Sequence, residues 1–199
     1  MNRTRITAPA TEPLTASSLR DHLHLDADDV SGSDSRLNPL ISAATLHLER
    51  VTRRRFVTQT WNAAFDSFTD ATQDGDTIYL PYSPVQSVSA VTYIDVNGTR
   101  TNCANTVYEL GIVNGLSVLR LKYGQVWPSV RDQADAVNVQ YVCGYGNAVT
   151  VPADLVHALK LLAATWYMTR EAVNVGNIVN EMPFTVKALV EPFKVTARA

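Results

Sequence analysis

Cysteine is scarce in this chain. Only Cys103 and Cys143 occur, far apart and with no second cysteine or histidine at ligand spacing beside either, so a structural zinc site has nothing to build on. A disulfide framework of the kind that holds small secreted domains together would be denser. Both residues are therefore read as buried free thiols. An excess of charge of one sign is also missing. The formal net charge is -2, whereas binding to a nucleic-acid backbone needs a basic face that displaces counterions. Local basicity is confined to Arg53, Arg54 and Arg55, a cluster that suits the negative end of a helix dipole. No run approaches the roughly twenty apolar residues needed to span a bilayer. The opening MNRTRITAPATEPL also lacks the apolar stretch of a signal sequence, and a soluble chain made in a reducing cytoplasm is expected.

A reaction centre is missing as well. His22 and His24 lie two positions apart on a predicted helix and point in different directions, which spoils them as a metal pair. Cys143 and His157 are the one thiol and imidazole separated by a short segment, a pairing that would make a thiol hydrolase. The sheet-like alternation before Cys143 favours a structural thiol instead. GYGN lacks the Lys-Ser/Thr ending of a phosphate-binding loop. The run DADDVSGSD does not reproduce the ligand spacing of a calcium-binding loop. Trp61, Trp127 and Trp166 read as core aromatics, with Trp127 beside Pro128 the candidate for exposure. No catalytic residue, cofactor site or metal site is assigned.

What the chain does carry is a helical bracket around a strand-rich centre. Thr15 or Ser17 can cap a short helix with Leu19, Leu23 and Leu25 on one face. After a loop, Ser33, Asp34 or Ser35 can cap a second helix running from about Ser35 to Arg54, with Pro39 tolerable only in its first turn. Leu37, Leu40, Ile41, Ala44, Leu48 and Val51 then form one apolar stripe, and Ser42, His47, Glu49 and Arg50 form the opposite polar face. The period changes to two at Trp61, Ala63 and Phe65. Apolar runs at 78–80, 85–94, 108–112, 118–121 and 137–142 follow, and Asn97-Gly98 signals a hairpin in which both central residues take positive φ. Val151-Pro152 opens a long helix to about Glu171, and Pro183 opens a short one through Leu189.

The expected fold class is α+β: a bundle of N- and C-terminal helices with an inserted antiparallel β-sandwich or small barrel. In sequence terms this gives an extended lead-in at 1–13, a discontinuous helical part at 14–56 and 151–191, a β insert at 57–150, and a flexible tail at 192–199. The second helix has more apolar surface than a small core can cover, so Leu37, Ile41, Ala44 and Leu48 are candidates for a subunit interface.

The segments EPLTASSLRDHLHLDADD and LNPLISAATLHLERVTRRRFVTQTW, followed in order by IYLPYSPVQSVSAVTYIDVNG, VWPSV, VQYVCGYG, VPADLVHALKLLAATWYMTREAV and MPFTVKALVEPFKV, cover nearly the whole chain. In that order they resemble the head-tail connector (adaptor, or head-completion) proteins of long-tailed bacteriophages and gene transfer agents. The loop at 30–34 looks longer than usual for such proteins, and Ser17-Ser18 replaces a more commonly charged position. The resemblance implies a structural protein without an active site. It implies a homo-oligomeric ring, commonly of about twelve copies, bound to the portal protein in the virion neck and assembled in the bacterial cytoplasm. The ring would extend a channel through which DNA passes without sequence-specific binding, and would dock a stopper or tail-completion protein. Within that frame Pro192, Phe193, Lys194, Val195 and Thr196 form a candidate portal-docking tail, able to add as a strand or fill a groove. The rival reading is a non-viral β-sandwich interaction module on a helical base, recognising its ligand through Trp127 and the Asn97-Gly98 hairpin.

Overall fold

The computed structural model describes residues 1–25, 30–68, 77–169 and 183–195. The chain is α+β and divides into two compact units, a strand unit of Met1–Ala10 with Thr58–Tyr145, and a helical unit of Thr11–Val57 with Gly146–Ala199.

The strand unit holds β1 (Asn2–Thr7), β2 (Gln59–Phe65), β3 (Thr77–Tyr79), β4 (Val85–Ile94), β5 (Arg100–Asn102), β6 (Tyr108–Val113), β7 (Leu116–Leu121) and β8 (Val137–Cys143). They form a five-stranded sheet in the order β1-β2-β8-β4-β5 and a three-stranded sheet in the order β3-β7-β6. Every pairing is antiparallel. Strand β8 alternates: Val137, Val139, Tyr141 and Cys143 are buried while the residues between them are only partly so. Those four join Phe65, Phe68, Ile78, Leu80 and Leu119 in one core fed by both sheets. Tyr141, opposite Trp61 on one side and Val88 on the other, fixes the register from the middle.

Part of the extended lead-in, Asn2–Thr7, pairs as strand β1. All six of its residues are exposed, so it carries no period-two pattern; backbone pairing with β2 and the Arg3 guanidinium 5.8 Å from the Tyr82 ring centroid hold it at the sheet edge. The Asn97-Gly98 turn differs in detail. Only Gly98 has positive φ, at 87°; its N–H donates to the Asp95 carbonyl at 2.9 Å, and Asp95 N–H donates to the Thr99 carbonyl at 2.9 Å. The Asp95 carboxylate accepts the Asn97 and Thr99 amides at 2.9 and 2.8 Å. A type I turn closed by a glycine bulge needs one left-handed residue, not two.

Trp127 is half-buried in this core rather than displayed. It stacks on Phe68, with 4.7 Å between ring centroids and 8° between planes. Its indole N–H has no hydrogen-bond partner among the described residues. An unsatisfied buried donor costs about 1 to 3 kcal/mol, similar to the contact area that phenylalanine would give up. Trp127→Phe is therefore expected to leave the thermal midpoint nearly unchanged, and a large fall would show that the indole N–H is bonded.

The helical unit comprises α1 (Ala16–Leu23), α2 (Val30–Thr52), α3 (Ala153–Met168) and α4 (Phe184–Val190), with short 3-10 turns at Ala148–Thr150 and Glu191–Phe193. Thr15 caps α1 as expected, its hydroxyl accepting the Ser18 N–H at 3.2 Å. Helix α2 begins earlier than its capping signals imply, so Pro39 sits in its interior. A proline there costs about 3 kcal/mol. Leu37 and Ile41 flank it and are 0% and 1% exposed; burying two such side chains contributes about 3 to 6 kcal/mol, enough to carry the helix through. Residues 30–34 are therefore helical and not loop, and 26–29, the acidic part of the expected loop, lie outside the described residues.

Candidate functional site

In the helical unit Leu19, Leu37, Ile41, Ala44, Leu48, Leu155, Leu159, Leu162, Val186 and Val190 are all buried. The expected interface stripe Leu37, Ile41, Ala44 and Leu48 is thus consumed by the chain's own core. Each of the four is 0 to 1% exposed, so none has surface left for a neighbouring copy; the sequence overstated the excess because it could not show α1, α3 and α4 sharing the load. Two buried threonines on α2 satisfy their hydroxyls within the helix, Thr45 to the Ile41 carbonyl at 2.8 Å and Thr52 to the Leu48 carbonyl at 2.7 Å.

Glu49, expected on the polar face, is only 4% exposed. Its carboxylate accepts Arg55 Nη1 at 2.8 Å and the Phe56 N–H at 2.8 Å. Burial pushes its pKa upward, while the Arg55 charge and the Phe56 amide pull it down. The three arginines that the sequence groups together thus separate. Arg55 is buried with Glu49, Arg54 Nε donates to the Phe193 carbonyl at 2.7 Å, and Arg53 is exposed with φ of 57°.

The C-terminal segment is likewise not a free tail over its first part. Pro192 and Phe193 lie in a 3-10 turn, Lys194 pairs with Glu191, and Val195 is 5% exposed with its N–H donating to the Thr52 carbonyl at 3.2 Å. Val195 so satisfies one of the carbonyls that the end of α2 would otherwise leave open. Thr196 lies outside the described residues.

None of this arrangement makes a reaction centre. Cys143 is fully buried in the strand unit, and His157 is exposed on α3 of the helical unit. Burial raises the Cys103 pKa, which keeps that thiol protonated and inert. His22 and His157 meet edge to face with ring centroids 6.3 Å apart. Burial lowers the His22 pKa, and the charges of Lys160, His157 and His24 lower it further. An open groove of about 410 Å³ is lined by Pro13, Val149, Val151, Val156, His157 and Lys160 among others; neither cysteine lines it. Among the described residues no three His, Cys, Asp or Glu side chains converge as metal ligands, and no helix is long and apolar enough to cross a membrane.

Among the described residues no chemistry defines a site, and the likeness to known proteins carries the functional reading. The family described as Phage gp6-like head-tail connector protein matches residues 129–194, from the loop before β8 through α3 and α4 into the turn that follows. The chain resembles head-tail connectors. No curated protein sequence matches it. Among solved structures, a chain from the neck of an empty gene transfer agent particle computed with C6 symmetry is similar, with a TM-score of 0.82 and 25% identity, covering 100% of this chain and 98% of that one. A chain from the virion of a native gene transfer agent particle gives 0.81 and 26%, again over 100% and 98%. A chain from the neck of a native particle computed with C12 symmetry gives 0.78 and 25% over the same shares. The likeness to these neck and virion chains therefore extends over the strand unit as well as the segment that the family model matches. The sequence reasoning missed the Glu49–Arg55 pair and the division of the arginines; the only signal was a glutamate six positions before an arginine, a spacing that does not place two residues on one helix face.

Proposed function

We propose that this chain is a non-enzymatic structural subunit of the neck of a tailed phage or phage-like particle. Copies assemble side by side into a ring of twelve. The ring sits on the portal, extends the channel through which DNA leaves, and presents the surface on which a stopper or tail-completion protein docks. In the helical unit, which the strand unit interrupts in sequence, α3 and α4 lie within the segment that the family model matches. The observation that carries the reading is the full-length likeness to neck chains, including one from a neck of C12 symmetry. The strand unit also bears on it: Trp127 stacks on Phe68 and is half-buried there, which speaks against the aromatic recognition face that the rival interaction module requires.

Purified protein mixed with portal rings and imaged by negative stain is expected to show a second collar of twelvefold symmetry on one face of the portal. Protein that stays monomeric with portal present, at low salt and high concentration, would overturn the assignment.

A further inference from the structure

Helix α2 has a second face that its core does not use. Arg36, Pro39, Ala43, Leu46, Arg50 and Arg53 recur at steps of three and four residues and are all exposed, with Leu46 at 50%. The stripe is about 25 Å long. It has arginines at both ends, apolar or small side chains in the middle, and no carboxylate. None of the three arginines forms an ion pair among the described residues.

Two local features run against stability here. Arg50 in the last turn and Arg53 just past it place two like charges at the end of the helix, with no carboxylate in the stripe between them. Arg53 also holds a left-handed backbone, φ 57°, at the position after the helix where glycine is favoured. Attraction to the helix dipole offsets part of this. Local rules broken together on one exposed face mark a surface selected for something other than the fold.

We infer that this face is where a second copy of the chain docks, an inference that rests on the ring reading above. The chemistry selects a protein and not DNA. A small and apolar centre rimmed by arginine, with lysine and carboxylates absent, is the composition of a protein interface core, whereas Pro39, Ala43 and Leu46 offer a phosphate backbone nothing. A ring needs two different surfaces on each subunit that fit each other. The complement is an acidic corner of the strand unit, where Asp66, Asp132 and Asp135 are all exposed and the Asp135 N–H donates to the Asp66 carboxylate at 2.9 Å. The Arg50–Arg53 end of one copy meets the Asp132–Asp135 corner of the next, and Leu46 is covered between them.

The test uses full-length protein with portal rings, scored by mass photometry and imaging. Arg50→Asp with Arg53→Asp is expected to reduce ring assembly at least tenfold while circular dichroism stays native. Asp132→Arg with Asp135→Arg should do the same, and the four changes combined should restore rings. Arg53→Gly provides an independent readout: it should raise the melting temperature of the unassembled protein yet weaken assembly, whereas a purely local role for Arg53 predicts a lower melting temperature and unchanged rings. Normal assembly of the aspartate variant overturns the contact and leaves the ring reading standing. So does a wild-type protein that binds duplex DNA through Arg50 and Arg53 with ring assembly indifferent to them. Failure of the wild type to close on portal removes both.

Discussion

Glu49→Ala is expected to destabilise the helical unit by about 3 to 5 kcal/mol, because breaking a buried ion pair by truncating one member leaves the other's charge buried without the carboxylate that faced it. Arg55 is 8% exposed and cannot swing into water without unpacking the turn after α2. The Phe56 N–H, which donates to the same carboxylate at 2.8 Å, loses its acceptor in the same step. For a domain of ordinary stability, about 5 to 15 kcal/mol, this is about a fifth or more of the total. Replacing both residues, Glu49→Leu with Arg55→Leu, should recover most of the loss, since a buried pair exchanged for apolar side chains is often neutral. Equilibrium denaturation in urea measures all three proteins. A single alanine variant within 1 kcal/mol of wild type would show that Arg55 finds water or another acceptor.

The same pair fixes a direction for the effect of pH. Burial raises the Glu49 pKa above its ordinary range, even with Arg55 and the Phe56 amide opposing. A carboxyl whose folded pKa exceeds its unfolded value binds its proton more tightly in the native state. Its contribution to stability is then fully present below the unfolded pKa and declines as the pH rises through the window up to the folded one. Glu49→Gln removes that slope while keeping an acceptor for Phe56. The difference in unfolding free energy between wild type and Glu49→Gln should therefore move against wild type from about pH 4 upward. A difference that moves the other way would mean that Arg55 outweighs the burial.

These effects lie where the sequence was hardest to read. The alternation at Trp61, Ala63 and Phe65 located β2, an apolar run located β4, and the spacing of Leu155, Leu159 and Leu162 located α3; β8 and α3 each bury one face against their own unit, and burial is what writes a period into a sequence. Strand β1 was invisible for the converse reason: it is exposed on every residue and is held by backbone bonds, which any sequence can make. Helix α2 was seen but misplaced. Its capping signals at Ser33 to Ser35 and the interior Pro39 both argued locally for a later start, and the tertiary burial of Leu37 and Ile41 overrode them. Around the end of α2, Glu49 looked like a surface residue on helical spacing and Arg55 like part of a solvated cluster. Their pairing depends on the chain leaving the helix after Thr52 through the left-handed Arg53, and no periodicity encodes a reversal of that kind. The resemblance to connectors was legible from the order of segments. The contacts that would build an assembly were not, since the stripe singled out for them was the core itself.

The C-terminal segment gives the second large effect, and separates folding from docking. Ending the chain at Glu191 removes Val195, which is 5% exposed, and burial of a valine contributes about 1.5 to 3 kcal/mol. It also removes the Val195 N–H from the Thr52 carbonyl and the Phe193 carbonyl from Arg54 Nε, each worth about 0.5 to 1.5 kcal/mol net. After discounting for the partial solvation of both bonds, a loss of about 2 to 4 kcal/mol is expected. Ending the chain at Val195 retains all three interactions and should leave the melting temperature at the wild-type value. Any loss of portal attachment in that shorter truncation is then a contact made by residues 196–199, and cannot be a consequence of a loosened helical unit. Attachment lost only together with stability would mean that the segment acts by finishing α2, with Val195 serving as its cap. A truncation at Glu191 that melts like the wild type would show that neither the valine nor the two hydrogen bonds secure the end of the helix.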